Sequence, residues 1–174
     1  MGVATTGVKS GTERTVAEQL RVYLDITRPR VIALVLFTGI PVLKLGQDAW
    51  PSFWTACWIL VGTAMAGGAS SALNAYVERE SDAKMARTRR RPLPASVLVP
   101  RTVLAYGIAL TVLSTAILYW IGGLLAAFVG VGTIVFYVGI YTMWLKPRTP
   151  QNIVIGGAAG ATAPLIASAA MTGS

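Results

Sequence analysis

Three oxygen-bearing side chains recur at every fourth position near the middle of the sequence. Asn74, Glu78 and Asp82 stand at positions i, i+4 and i+8, and on an α-helix such positions advance by only about 40° per step, so the three share one face. Carboxylate and amide oxygens are hard ligands that suit Mg²⁺, which commonly bridges carboxylates to substrate phosphates. The spacing therefore predicts a magnesium site, with Asn74, Glu78 and Asp82 as its metal ligands and as the catalytic residues. We call these three residues the polar column.

A run of basic residues follows the polar column directly. Arg87 and Arg91 belong to this run, and a guanidinium group can bind two phosphate oxygens at once. If the helix continues that far, these two arginines share one side of it and Arg89 points away. Carboxylates followed by arginines predict a site for a metal-bound diphosphate. A plainer interpretation stays open, in which Arg79 and Glu80 form a solvated face and the basic run only retains the loop on one side of a membrane.

The composition excludes several other kinds of site. The 174 residues contain one cysteine and no histidine, which excludes a disulfide framework, a histidine-ligated metal and a Ser-His-Asp triad. Only 13% of the residues are charged and 54% are hydrophobic, whereas an ordinary soluble domain is about 25% charged. A soluble globular domain and a disordered chain are therefore both excluded, and the mean hydropathy of +0.61 favours a membrane protein.

Five apolar stretches approach the ~20 residues that one membrane crossing needs. They run over residues 31–45, 50–73, 103–120, 122–145 and 153–171. This pattern predicts an all-α fold, a polytopic transmembrane bundle of about five helices. The polar column continues the second stretch, and polar groups at the end of a span are costly and usually functional.

The basic residues predict the orientation of this bundle. If the N terminus is cytoplasmic, every one of the 15 Lys and Arg residues except Lys44 falls on the cytoplasmic side, which is the positive-inside pattern. This topology accounts for most of the net charge of +8, and we expect no nucleic-acid partner. We expect residues 1–21 to be a disordered cytoplasmic tail and residues 22–174 to be the membrane domain. The N-terminal arm lacks a mitochondrial transit pattern, which favours a multi-pass protein of the bacterial plasma membrane.

Three segments together resemble one family of enzymes. Residues 74–93, NAYVERESDAKMARTRRRPL, resemble the first aspartate-rich motif of the UbiA-type intramembrane prenyltransferases, and in particular of their protohaem IX farnesyltransferase (haem O synthase) branch. Residues 23–31 are similar to the opening of that family, and the run Thr-Pro-Gln-Asn-Ile-Val-Ile-Gly-Gly after residue 148 separates the haem branch from the quinone and chlorophyll branches. Glu78 stands where the family usually has Asp, and Pro147 stands where a second basic residue is usual.

The resemblance implies a reaction and its participants. A farnesyl group would pass from farnesyl diphosphate to a vinyl group of haem B in the lipid bilayer, which gives haem O, with Mg²⁺ as cofactor. The diphosphate would bind to Arg87, Arg91, Lys146 and Arg28. Two alternatives stay open, namely a prenyltransferase for another acceptor, such as a quinone precursor, and an inactive membrane fragment.

The resemblance also bears on the extent of the chain. The family is similar to a nine-helix bundle with a second aspartate-rich motif in its later half, whereas all seven acidic residues of this chain precede Ala83. We therefore expect an N-terminal half that does not act alone. Its expected protein partners are the missing C-terminal half or a downstream haem-processing enzyme.

Overall fold

The fold is known from a computed structural model that describes residues 15–45, 47, 49–146, 148 and 161–172. Within these ranges the chain is helical and contains no strand. The α-helices are α1 Val16–Ile26, α2 Pro29–Gly39, α3 Phe53–Lys84, α4 Pro100–Val135 and α5 Thr162–Thr172. A short 3-10 helix, Pro41–Leu43, follows α2, and a π-helix, Phe136–Leu145, continues α4. The all-α fold expected from the sequence is confirmed.

Helix α1 begins earlier than the expected start of the ordered domain. It opens with a capping box, in which the Thr15 hydroxyl accepts a hydrogen bond from the Glu18 amide and the Glu18 carboxylate accepts one from the Thr15 amide. The structure therefore places helix on residues 16–21, which we expected to be disordered, because this box satisfies amides that would otherwise lack a partner. Residues 1–14 lie outside the described residues.

A sharp bend separates α1 from α2. Arg28 has φ 57° and ψ 62°, which is the left-handed region that residues with a side chain rarely adopt. The chain bends by 54° between the two helical segments. Pro29 then starts α2, where the missing amide hydrogen of proline costs no hydrogen bond. The bend holds Arg28 at the junction between the two helices.

Helix α3 carries the polar column on the end of a membrane span. The Ser52 hydroxyl accepts a hydrogen bond from the Thr55 amide at 3.1 Å and caps the start of the helix. Its 32 residues correspond to about 48 Å, which exceeds the ~30 Å of a hydrocarbon core. The apolar stretch ends at Leu73, whereas the helix continues to Lys84, so its last turns place the column beyond the apolar part.

The third and fourth predicted spans form one folded-back pair. Gly123 has φ 76° and ψ −177°, a backbone that glycine adopts without a steric penalty. A Cβ atom added to Gly130 would lie 2.6 Å from Cδ1 of Leu118, whereas residues that far apart in sequence lie ~18 Å apart along a straight helix. The 46 residues from Pro100 to Leu145 are therefore two antiparallel arms of about 22 residues each, and each is long enough for one crossing.

The membrane-spanning character of the bundle is confirmed. Phe53–Lys84 and Pro100–Leu145 are long and apolar enough to span a membrane, and the bent pair Val16–Ile26 with Pro29–Leu43 is a third candidate. Helix α5 is apolar but short, and the residues that would begin the fifth predicted span, 153–160, lie outside the described ranges. The number of five spans therefore stays a prediction.

Buried apolar residues form three clusters along α3. The first joins α3 to both arms and α5, the second joins it to the second arm, and the third joins it to α1, the loop after α3 and the first arm. Their principal members are, in that order, Ile59, Leu118 and Ile166; Ala66, Ala69 and Ile134; and Ile26, Ala72, Leu93 and Val103. Ile26 and Leu93 of the third cluster line one cavity together with Asp82.

Candidate active site

The polar column forms a buried face at the end of α3. Asn74, Glu78 and Asp82 expose 2%, 7% and 5% of their surface. They share one face of the helix, as their spacing predicts, and Asn74 Nδ2 donates a hydrogen bond to Glu78 Oε2 at 3.2 Å. Buried carboxylates are costly unless charges or hydrogen bonds compensate them. The groups that surround the column therefore decide its chemistry.

Each carboxylate of the column is paired with a cation from another part of the chain. Lys146 Nζ contacts Glu78 Oε1, and Arg91 Nη1 lies 2.7 Å from Asp82 Oδ2. The Lys146 and Arg91 side chains are 42% and 39% exposed, whereas their carboxylate partners are almost fully buried. The two cations therefore close the column on its open side, where an incoming anion would meet them first.

The π-helix brings two side chains to the column. Its wider turn pairs each amide with the carbonyl five residues earlier, as in the 2.9 Å bond from the Lys146 amide to the Tyr141 carbonyl. Lys146 then reaches Glu78, and the Thr142 hydroxyl lies 2.7 Å from Asn74 Oδ1. Sequence reasoning missed Thr142, although a hydroxyl residue one turn before a site lysine is a signal that could have found it. π-helical turns are rare and are frequent at functional sites.

The arginine run lies in turns and not on a continued helix. Helix α3 ends at Lys84, so the condition on which Arg87 and Arg91 would share one side of a helix is not met. Arg91 reaches the column, whereas Arg87 is exposed. Hydrogen bonds explain the difference, because the buried Thr88 hydroxyl donates to the Asp82 carbonyl at 2.9 Å and folds the loop back over the end of α3.

Arg28 borders two cavities, and the smaller of them reaches the column. The smaller cavity, of about 210 Å³, is lined by Asp25, Arg28, Asp82 and Arg91 among others. The larger, of about 300 Å³, runs from Arg28 along α2, α3 and the second arm, and its walls are mostly apolar on the α2 side. Strained backbone such as that of Arg28 clusters at functional sites. Here it holds a guanidinium-bearing residue where a small charged cavity meets a longer apolar one.

The donor set of the column fits a Mg²⁺ ion that shares its ligands with a phosphate. The described residues contain no group of three or more Asp, Glu, His or Cys side chains that could hold a metal by themselves. Mg²⁺ does not need such a group, because it is usually bound through one or two carboxylates, waters and substrate phosphates. Glu78 and Asp82 would supply the carboxylates, and Asn74, on the same helix face, carries an amide oxygen that here accepts from Thr142.

The structure gathers most of the predicted site residues. Arg91 and Lys146 contact the column, and Arg28 lines the cavity that Asp82 and Arg91 border. Arg87 is the predicted residue that the described contacts do not bring to the column. The segment that follows residue 148, which carried part of the family resemblance, lies outside the described residues.

The site lies in a membrane-spanning helix bundle, and in it a lysine and an arginine pair with buried carboxylates. Such an arrangement is suited to an anionic substrate. The chain matches the UbiA prenyltransferase family over residues 35–174. It belongs to this family, which confirms the resemblance seen in residues 74–93.

Individual relatives are similar over almost the whole chain. The chain is 45% identical to the protoheme IX farnesyltransferase of Clavibacter michiganensis subsp. michiganensis over 158 residues, which are 91% of this chain and 52% of that protein. It is 40% identical to the protoheme IX farnesyltransferase of Salinispora tropica, with 94% and 51% covered, and 43% identical to that of a Nocardioides species, with 98% and 55% covered. The chain thus spans about half the length of the curated relatives it matches. No solved structure matches it.

Proposed function

We propose that this chain supplies the diphosphate-binding half of an enzyme that transfers a farnesyl group from farnesyl diphosphate to a vinyl group of haem B and so makes haem O. The main support is the pairing of buried Glu78 and Asp82 with half-exposed Lys146 and Arg91. The names of the relatives indicate the acceptor and the transferred group, since each is named a protoheme IX farnesyltransferase.

The cations of the site would act on the leaving group. Arg91 and Arg28 border the smaller cavity, where their guanidinium groups can bind diphosphate oxygens, and Lys146 adds a third positive charge at the column. As the bond between the farnesyl carbon and the diphosphate oxygen breaks, negative charge grows on the diphosphate. Cations already held in place by Glu78 and Asp82 stabilise that charge without reorganisation. Mg²⁺ would add charge neutralisation when bound, held by Asn74, Glu78 and Asp82.

The acceptor completes the reaction. The electron pair of the haem vinyl group attacks the allylic cation and forms the new carbon–carbon bond. The cation left on the former vinyl group is quenched by water, which loses a proton, so no nucleophilic side chain is needed. This is consistent with a chain that contains no histidine.

The larger cavity is suited to part of the farnesyl chain. Its α2 wall consists of apolar side chains, among them Val31, Ile32 and Val35. Its charged end is Arg28, which also borders the diphosphate-sized cavity. An isoprenoid tail in this cavity would keep its reacting carbon next to the cations.

A chimera tests the proposed function at full length. Residues 1–174 are joined to the remaining half of the Clavibacter relative, and membranes with the chimera receive haem B and farnesyl diphosphate. We expect haem O by mass spectrometry, and no product from residues 1–174 alone. Transfer to a quinone precursor such as 4-hydroxybenzoate, with none to haem B, would contradict the proposal and support the alternative acceptor.

We also propose a cytoplasmic N terminus and a cytoplasmic polar column, in a bacterial plasma membrane. The distribution of Lys and Arg supports this orientation, as does the supply of soluble Mg²⁺ and diphosphate on that side. In a Cys57→Ala background, Ala49→Cys should react with an impermeant maleimide added to intact cells, whereas Ala95→Cys should react only after permeabilisation. Labelling of Ala95→Cys in intact cells would reverse the topology.

A further inference from the structure

The Thr142 hydroxyl has two acceptors within reach and one proton to give. Its oxygen lies 2.7 Å from Asn74 Oδ1 and 2.8 Å from the Tyr137 carbonyl oxygen. Thr142 is 5% exposed, so bulk water does not reach this hydroxyl freely. A hydroxyl group donates one hydrogen bond and can accept others. It can therefore donate to Asn74 or to Tyr137, but not to both at full strength.

This competition permits two arrangements of the Asn74 amide. In the arrangement described above, Asn74 Nδ2 donates to Glu78 and Oδ1 accepts from Thr142. If the amide turns over, Nδ2 donates a hydrogen bond to the Thr142 oxygen, and the Thr142 hydroxyl rotates to donate to the Tyr137 carbonyl oxygen instead. Asn74 Nδ2 and the Thr142 hydroxyl each have an acceptor in both arrangements, because the side chain of Thr142 can either donate or accept.

The second arrangement leaves two oxygens facing each other. Asn74 Oδ1 would take the place of Nδ2, which lies 3.2 Å from Glu78 Oε2. An amide oxygen and a carboxylate oxygen at this distance repel each other unless a positive charge lies between them. The turned arrangement is therefore unfavourable without a cation and favourable when the two oxygens bind a cation together.

We propose that Thr142 is a positioning residue that allows the Asn74 amide to turn over and present its oxygen, together with Glu78, to a divalent cation. This inference rests on the proposed function to the extent that the polar column is taken as the cation site. The Tyr137 carbonyl oxygen is the second component, since it accepts the hydrogen bond of the Thr142 hydroxyl when the amide turns. The π-helix makes this possible by placing that carbonyl 2.8 Å from the Thr142 hydroxyl oxygen.

Mn²⁺ binding to residues 1–174 in lipid nanodiscs, followed by electron paramagnetic resonance, tests the proposal. Thr142→Val should weaken Mn²⁺ binding by about tenfold, because the turned amide then has a buried N–H group with no acceptor. Thr142→Ser keeps a hydroxyl and should stay within about twofold of the unchanged chain. The matched control is Thr115→Val, whose hydroxyl bonds only the Thr111 carbonyl of its own helix and which should leave Mn²⁺ binding unchanged.

A double-mutant cycle separates this role from a general loss of structure. If Thr142 acts through Asn74, then Thr142→Val should cause no further loss of Mn²⁺ affinity in an Asn74→Ala background. Equal affinity of Thr142→Val and the unchanged chain would overturn the proposal, and so would an additional loss in the Asn74→Ala background. Absence of Mn²⁺ binding by the unchanged chain would also overturn it.

The proposed function is tested by a different measurement, namely haem O formation by the chimera. A chimera that makes no haem O, beside a nanodisc series in which Thr142→Val and Thr142→Ser behave as expected, would reject the reaction and keep the positioning role. A chimera that makes haem O, beside a Thr142→Val variant with unchanged Mn²⁺ affinity, would reject the positioning role and keep the reaction.

Discussion

The two ends of α3 are held to the bundle by different physical means. At the end that begins with Phe53, neighbouring helices approach through small residues, and a Cβ atom on Gly62 would lie 2.9 Å from the Leu118 side chain. At the end that finishes with Lys84, buried carboxylates are paired with Lys146 and Arg91. Close packing of small residues holds the first end to its neighbours, and ion pairs hold the second.

In a membrane, close packing and buried ion pairs contribute differently to the stability of a helix bundle. Lipid tails are as apolar as leucine, so helices in a bilayer are stabilised by close packing and interhelical hydrogen bonds more than by burial of apolar surface. Buried ion pairs add little net stability, because the cost of desolvation offsets their attraction. The packed end therefore stabilises the bundle, whereas the ion pairs of the charged end add little to its stability. Substitutions at the two ends should therefore differ in whether they change stability or activity.

The largest expected effect is on turnover, at the charged end. Asp82→Ala in the chimera should lower haem O formation by about 100-fold or more, because it removes a proposed metal ligand and the ion-pair partner of Arg91 beside the cavity. The matched control is Glu80→Ala, a nearby carboxylate whose side chain is 79% exposed and whose loss should change turnover less than twofold. Equal losses of turnover in these two variants would show that the column acts only as part of a generally acidic surface.

The next effect is on stability, at the packed end. Gly122→Ala would place a Cβ atom 2.7 Å from the Ala170 methyl and 2.8 Å from the Ala126 methyl. Neither methyl can rotate away, so the backbone must shift, at a cost of about 1–3 kcal/mol in the free energy of unfolding. Gly132→Ala is the control, since among the described residues the added carbon would meet nothing within 4 Å apart from its chain neighbours and the backbone of its own helix. Thermal unfolding in detergent should show a lower midpoint for Gly122→Ala alone, and equal midpoints would contradict the tight contact.

A smaller effect should distinguish two arginines of the same run. Arg91→Ala should lower turnover of the chimera by about tenfold, which is 1.4 kcal/mol in activation free energy, because Arg91 contacts Asp82 and lines the smaller cavity. Arg87→Ala should have a weaker effect, since Arg87 is exposed and away from these contacts. Arg91→Lys should fall between them, because lysine lacks the two-pronged guanidinium. Rates that are the same for Arg87→Ala and Arg91→Ala would indicate only a diffuse basic patch.

The smallest expected effect is on a hydrogen bond between helices. The buried Ser114 hydroxyl donates to the Gly62 carbonyl at 2.8 Å, and such bonds in membrane proteins contribute about 0.6 kcal/mol on average. Ser114→Ala should therefore lower the unfolding free energy by about that amount and leave turnover of the chimera unchanged. Thr102→Ala, whose exposed hydroxyl donates to the Val99 carbonyl just before the same helix and makes no bond between helices among the described contacts, should have no measurable effect. A loss of turnover in Ser114→Ala would mean that the two ends of α3 are coupled.

The sequence predicted those parts of the site that depend on regular periodicity. Spacing by four placed Asn74, Glu78 and Asp82 on one buried face, and the short uncharged gap after Trp120 separated the two arms that fold back at Gly123. Both predictions follow from the geometry of an α-helix and the thickness of a bilayer. The family resemblance then supplied Lys146 and Arg28, which local spacing does not connect to the column.

The remaining parts depend on tertiary contacts that no local pattern encodes. Thr142 reaches Asn74 only because the second arm becomes a π-helix, and the sequence from 136 to 145 has no periodicity that distinguishes five-residue from four-residue bonding. The Arg87–Arg91 segment leaves the helix because Thr88 bonds the Asp82 carbonyl. A sequence pattern shows that Thr88 can make such a bond, but not which carbonyl it will find.

The turn at Gly123 has a consequence for the biogenesis of the protein. Residues 120–123 carry no charge, so this turn can cross a bilayer without the ~2.5–3.5 kcal/mol that one lysine or arginine at the centre of a span would cost. The two arms can therefore enter the lipid together as one hairpin, and the turn carries no orienting signal of its own. Their direction is then set by the flanking Arg101 and Lys146. A glycosylation tag inserted after Gly123 should be modified as soon as the second arm leaves the ribosome, and modification that awaits later synthesis would show that the arms enter separately.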